Sequence, residues 1–176
     1  MTIPNFITIM RLLLVPLIVV VIVQGLWPWA FAIFVFAGVS DAVDGFIAKR
    51  FDMRSELGAY LDPVADKALI VSIYVTLAII GGIPVWLTIL VVSRDIMIVS
   101  AIIISWLMDQ PVEIAPLLVS KLNTTAQIAF AALLLGARAF SVDLGHGLQV
   151  AQIIVAALTL ASMGAYLAVW LKHMAD

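Results

Sequence analysis

Cysteine is absent from the 176-residue chain, which excludes disulfides, thiolate metal sites and cysteine nucleophiles. Charge is scarce: Asp, Glu, Lys and Arg make up 11% of the residues and the formal net charge is only -2, against about a quarter charged in soluble domains. With no polybasic or Arg-rich segment, the chain lacks the electrostatic footprint of a nucleic-acid binder. The two histidines, His146 and His173, have no metal-ligand partner at helical spacing and are expected to be solvated. Glycine-rich dinucleotide and phosphate loops and a Ser/His/Asp pattern are also missing.

Hydrocarbon is abundant instead. Hydrophobic residues make up 65% of the chain and the mean hydropathy is +1.22, with apolar runs near the ~20 residues that cross a bilayer. The expected fold is all-α: an integral membrane protein with six transmembrane helices in a single domain over residues 1–176. The first run, Ile9 to Val23, has an Arg in its first turns and no small-residue cleavage site after it, so it reads as a retained helix. Trp27-Pro28-Trp29 is expected to close that span with interfacial aromatics. Further spans are expected over 30–48, 58–80, 85–107, 121–135 and 148–171. Lys49 to Glu56 reads as a polar loop or interfacial helix, Gly81-Gly82-Ile83-Pro84 as a turn, and Ser120 as the cap of the fifth helix.

Orientation follows from the basic residues. Arg11, Lys49, Arg50, Arg54, Lys121 and Lys172 fall on one side and Arg138 on the other, so both termini and the Lys49 to Glu56 loop are expected in the cytoplasm. The chain does not open on an Arg- and Ser-rich transit segment, which favours a bacterial cytoplasmic membrane.

Lys67, Arg94, Asp41, Asp44, Asp62, Asp66 and Asp95 fall inside the apolar spans, where each ionisable group costs at least ~3 kcal/mol to insert. Such groups need partners or a function. At about 100° per residue, Asp41, Asp44, Gly45 and Ala48 share one face of the second helix, and Gly58, Asp62 and Asp66 one face of the third. Four carboxylates together raise one another's pKa values unless cations accompany them. Hard oxygen donors in this number suit two Mg²⁺ or Mn²⁺ ions, and a pair of such ions suits an in-line phosphoryl displacement. Arg94 and Asp95 could equally form a local ion pair that permits insertion, and Lys67 could balance the acidic cluster. An ion or proton transporter could array such residues too, although its acids would be expected near the midplane and between inverted repeats.

The stretch Asp41-Ala-Val-Asp44-Gly45-Phe-Ile-Ala48-Lys49, then eight residues, then Gly58-Ala-Tyr-Leu-Asp62-Pro-Val-Ala-Asp66 resembles the signature of the CDP-alcohol phosphatidyltransferases, D-x-x-D-G-x-x-A-R followed by G-x-x-x-D-x-x-x-D. Seven of its eight fixed positions are met. The exception is Lys49, which keeps the family's positive charge without the planar fork of arginine. The resemblance implies that Asp41, Asp44, Asp62 and Asp66 bind two divalent ions, with Asp66 also the base for the acceptor hydroxyl. That hydroxyl attacks the β-phosphorus of CDP-diacylglycerol and CMP leaves. It also implies that Gly45, Ala48, Lys49 and Gly58 receive the nucleotide lipid. Pro4-Asn5-Phe-Ile-Thr8-Ile-Met-Arg11 resembles the family's first-helix pattern N-x-x-T-x-x-R, which would add Asn5 and Thr8 to the nucleotide site. The same segment also reads as a capped helix start with a positive-inside arginine.

Ser93-Arg94-Asp95-Ile96-Met97 and Ser120-Lys121-Leu122-Asn123-Thr124 resemble the cardiolipin synthase branch of that family, whose acceptor is phosphatidylglycerol. This similarity puts Arg94 and Lys121 at the acceptor. The phosphatidylglycerophosphate synthase branch, which uses glycerol 3-phosphate, usually carries a second Arg where this chain has Ile102. A small dianion needs several cations, so its loss tilts the acceptor towards phosphatidylglycerol. The resemblance further implies a homodimer.

Overall fold

The computed structural model describes residues 3–50, 56–107 and 117–175. Among these residues there is no strand, and six α-helices follow one another: α1 (Ile3–Val23), α2 (Trp27–Arg50), α3 (Glu56–Ile79), α4 (Val85–Leu107), α5 (Leu118–Ala139) and α6 (His146–Ala175). Among the described residues three segments are long and apolar enough to cross a membrane: Val85–Ser105, Leu118–Ala139 and His146–His173. Shorter apolar stretches run over Thr8–Val23, Trp27–Val43 and Lys67–Ile79.

Three helix ends share one device, the six-to-one and five-to-two Schellman pair. After α1, Leu26 N donates to Val21 O at 2.9 Å and Gly25 N to Ile22 O at 3.0 Å. After α3, Gly82 N reaches Leu77 O at 2.7 Å and Gly81 N reaches Ala78 O at 3.2 Å. After α5, Val142 N bonds Ala137 O at 2.8 Å and Ser141 N bonds Arg138 O at 3.4 Å. The reversing residue must adopt positive φ, 71° at Gly25, 73° at Gly81 and 55° at Ser141. Glycine does this freely, whereas serine carries a Cβ against the following carbonyl.

Several ends differ from the sequence expectation. Trp27-Pro28-Trp29 opens α2 instead of closing α1, because proline is tolerated in a helix's first turn. Lys49 and Arg50 are the last residues of α2, not part of a loop, while residues 51–55 lie outside the described residues. Helix α5 starts at Leu118 and runs to Ala139, so Ser120 sits within its first turn and is not its cap. His146 opens α6 and is exposed.

Contacts divide the chain into two compact units, one of Met1–Gly82 with Ala131–Asp143, the other of Ile83–Phe130 with Leu144–Asp176. In the first, α1 packs against both α2 and α3, with Ile18, Ile22, Ala30, Ile73, Tyr74 and Leu77 fully enclosed. Phe31 meets Phe140 edge-on with ring centroids 5.8 Å apart, and the Arg138 guanidinium lies 5.4 Å from the Trp27 ring centroid. In the second, α4 packs against α6. Here the usual polarity is reversed: outward residues such as Ile89, Ile96, Ile103, Leu122, Ile153 and Leu160 are apolar, whereas Arg94, Ser105, Asn123, Gln127, Thr159 and Ser162 are buried. Apolar surface turned outward over a polar interior suits lipid, not water, as the surroundings.

Candidate functional site

In the first unit, α1 presents Thr8 and Arg11 at i and i+3, both buried, so one stripe of this helix is polar where it meets its neighbours. Arg11 Nη1 lies 2.6 Å from Asp41 Oδ1 on α2. The burial of the two partners is unequal, since the Arg11 side chain is 3% exposed and that of Asp41 is 48% exposed. The guanidinium is thus fixed in the packed side of the pair while the carboxylate faces outward. Asp44, Gly45, Ala48 and Lys49 follow Asp41 on the same helix, and Gly58, Asp62 and Asp66 stand on α3 at one-turn intervals. Side chains of Asn5, Asp44, Ala48, Lys49, Asp62 and Asp66 lie outside the described residues, as do the surroundings of Gly45 and Gly58. Next to Asp66, Ala65 is buried and Lys67 is exposed. No group of three or more metal-ligating side chains occurs among the described residues. The donor chemistry nevertheless suits a hard divalent cation: Asp41 offers a carboxylate that already attracts positive charge, on a helix packed beside the one that also contacts α3.

The second unit holds Arg94 at its centre. Its Nε donates to Ser162 Oγ at 3.2 Å, Nη1 to Asp95 Oδ1 at 2.7 Å, and Nη2 to Ser162 Oγ at 3.1 Å and to Ser120 Oγ. The guanidinium carbon lies over the Tyr166 ring, 5.7 Å from its centroid, within cation–π range. Residues of α4, α5 and α6 therefore close on one buried charge, and the local Arg94–Asp95 ion pair anticipated from sequence is present. Lys121, next to Ser120, is exposed. One turn further along α5, Asn123 Oδ1 accepts a hydrogen bond from Thr159 Oγ1 at 2.9 Å. Both residues are fully enclosed, and Asn123 Nδ2 has no hydrogen-bond partner.

Sequence reasoning placed a helix over 148–171, within α6, but assigned none of its residues to a site. Its buried residues are Gln152, Val155, Thr159, Ser162 and Tyr166, spaced by three and four like a coiled-coil seam, and all but Val155 are polar. That spacing was the available signal, obscured by the high apolar content of the helix. Beside it, an apolar cleft of about 160 Å³ is lined by Met97, Ala101, Ile104, Tyr166, Leu167 and Trp170, among others. The Trp170 indole is held there by donation to Ser105 Oγ at 2.9 Å.

Comparison with known proteins extends this geometry. The CDP-alcohol phosphatidyltransferase family model matches residues 1–171, and the chain belongs to that family. It is 38% identical over 153 residues to a Drosophila melanogaster protein named "probable cardiolipin synthase (CMP-forming)", covering 78% of this chain and 48% of the fly protein. It is 34% identical over 181 residues to the human cardiolipin synthase (CMP-forming), covering 94% of this chain and 60% of the human protein. A Mycobacterium tuberculosis protein named "probable phosphatidylglycerophosphate synthase" is 36% identical over 98 residues, 52% of this chain and 47% of its own length. The chain thus spans about half to three fifths of the length of these relatives.

Proposed function

We propose that this protein is a six-span membrane enzyme that transfers a phosphatidyl group from CDP-diacylglycerol to phosphatidylglycerol, forming cardiolipin and releasing CMP. One observation carries the reading: the family signature falls on two successive helices, α2 and α3, that both pack on α1, where Arg11 engages the first signature aspartate. Asp41, Asp44, Asp62 and Asp66 would hold two divalent ions, Mg²⁺ or Mn²⁺. Such ions, when bound, supply positive charge that neutralises the diphosphate and its departing oxygen.

The chain's own residues do the remainder. Asp66 accepts the proton of the acceptor hydroxyl as the oxygen bonds to the β-phosphorus and the bond to CMP breaks. Gly45, Ala48 and Gly58 keep the helix surfaces low enough for the nucleotide to approach. Thr8 and Asn5 border it from α1, and Lys49 meets the diphosphate. Arg94 and Lys121 supply positive charge for the acceptor phosphate. All four signature aspartates lie in the halves of α2 and α3 nearest the Lys49 to Glu56 segment, which the positive-inside bias puts on the cytoplasmic side of a bacterial membrane. The enzyme would work as a homodimer.

Glycerol 3-phosphate is the second reading of the acceptor, favoured by the similarity to the mycobacterial phosphatidylglycerophosphate synthase. Transport has no such support from the relatives. Purified protein in lipid nanodiscs, given labelled CDP-diacylglycerol and either acceptor in turn, is expected to make cardiolipin and CMP from phosphatidylglycerol and little product from glycerol 3-phosphate. Phosphatidylglycerophosphate as the sole product would replace the first reading with the second.

A further inference from the structure

Arginine grips phosphate best by a fork of two parallel N–H groups. Arg94 has no such fork to spare. The Nε and Nη2 edge is spanned by Ser162 Oγ, at 3.2 and 3.1 Å, and the Nη1 and Nη2 end is divided between Asp95 Oδ1 and Ser120 Oγ. Its central carbon lies over the Tyr166 ring, 5.7 Å from the centroid, and the residue as a whole is 3% exposed. A guanidinium so enclosed acts on a ligand through the groups it holds. Ser120 is the suitable one. It is only partly buried, it accepts from Arg94, and its own O–H remains a donor. Charge behind an accepted hydrogen bond polarises that donor and strengthens what it gives to an anion. Lys121, the adjacent residue, is exposed and carries its ammonium on a four-carbon stem.

We propose that Ser162 and Tyr166 of α6 are positioning residues for acceptor recognition: they fix Arg94 so that its charge reaches a phosphate oxyanion through the Ser120 hydroxyl, beside the Lys121 ammonium. The proposal deepens the reading of Arg94 and Lys121 given above and rests on it. It assigns a role to a helix that carries none of the signature residues. It also explains why a transmembrane segment should bury a serine and a tyrosine at consecutive seam positions, where apolar residues would pack at no desolvation cost. The Tyr166 ring does double duty, since one face takes the guanidinium while the side chain also lines the apolar cleft.

The test is steady-state kinetics of Ser162→Ala, Tyr166→Leu, Tyr166→Phe and Ser120→Ala in nanodiscs, varying phosphatidylglycerol and CDP-diacylglycerol separately, with thermal unfolding of each variant. Ser162→Ala and Ser120→Ala are expected to raise the acceptor KM by about tenfold, as for loss of one charge-assisted hydrogen bond, with a much smaller change in the KM for CDP-diacylglycerol. Tyr166→Leu should behave alike, and Tyr166→Phe, which keeps the ring face, should restore the acceptor KM. An unchanged acceptor KM in Ser162→Ala overturns the inference, as does a parallel rise in both KM values with a lowered Tm. A wild-type protein that transfers to no phosphate-bearing acceptor removes the underlying reading instead, and the inference falls with it.

Discussion

The ion pair between Arg11 and Asp41 is unequal, and the inequality fixes how its two halves respond to mutation. At 2.6 Å two opposite charges attract by several kcal/mol, on the order of 4 kcal/mol or more at the effective dielectric of a protein site. Exposure of about half the Asp41 side chain lets water screen the pair, which pulls the net coupling towards the ~1 kcal/mol of surface pairs. We expect a double-mutant coupling of about 2 kcal/mol, between those limits. Arg11→Met leaves a carboxylate that can rehydrate, and its cost should be about 1–2 kcal/mol. Asp41→Leu takes the Asp41 carboxylate from a guanidinium that stays buried, and breaking a buried pair costs about 3–5 kcal/mol. Asp41→Asn keeps an oxygen for Arg11 to bond and should lose only about 1 kcal/mol of stability, while abolishing turnover. Reversible unfolding in mixed SDS and detergent micelles, followed by circular dichroism, measures all three. If Arg11→Met is the costlier replacement, or if the coupling falls below about 0.5 kcal/mol, the pair is not the asymmetric contact that its burial implies.

Three further outcomes are expected. Excess chelator, or Asp62→Asn, should reduce transfer about a hundredfold or more, while Asp66→Asn retains binding of CDP-diacylglycerol in a filter or calorimetric assay; full activity in chelator would sink the metal reading. Lys49→Ala should raise the KM for CDP-diacylglycerol by on the order of tenfold, more than Arg50→Ala does, and Lys49→Arg should retain activity; the reverse order would mean that the diphosphate contact belongs to Arg50. Gly25→Ala and Gly81→Ala should each lose about 1 kcal/mol of stability from left-handed backbone strain, and Ser141→Gly should gain a similar amount; equal stability of all three variants and the parent in unfolding titrations would contradict the Schellman assignment.

Much of the helix plan was legible because the bilayer leaves few choices: long apolar runs must be helices, and Gly81-Gly82-Ile83-Pro84 marks where one of them stops. The aspartate pattern was legible for a different reason: the signature of the family to which the chain belongs fixes its spacing, and its two halves fall on α2 and α3. Trp27-Pro28-Trp29 was misassigned because interfacial aromatics suit either end of a span and proline fits a first turn as well as a break. Ser120 was misread because a serine near a helix start has two uses. Its hydroxyl serves a guanidinium 26 residues earlier in the chain, a partner that no local pattern reveals. Ser141 closes a helix in a conformation where glycine is the expected residue. The buried face of α6 escaped notice because four polar residues, spread along 15 positions from Gln152 to Tyr166, hardly alter the average hydropathy of the segment.

The bond between Thr159 and Asn123 bears on how the chain enters its membrane. An amide carried alone into hydrocarbon lacks partners for its carbonyl and its N–H groups, and α5 on its own would carry Asn123 there. Once α6 is alongside, Thr159 meets the carbonyl oxygen, and sliding either helix by one turn would strand it again. The last two helices are therefore suited to leave the insertion machinery as a paired hairpin, with their register chosen before lipid surrounds them. A chain cut off after α5 should be held back at that stage.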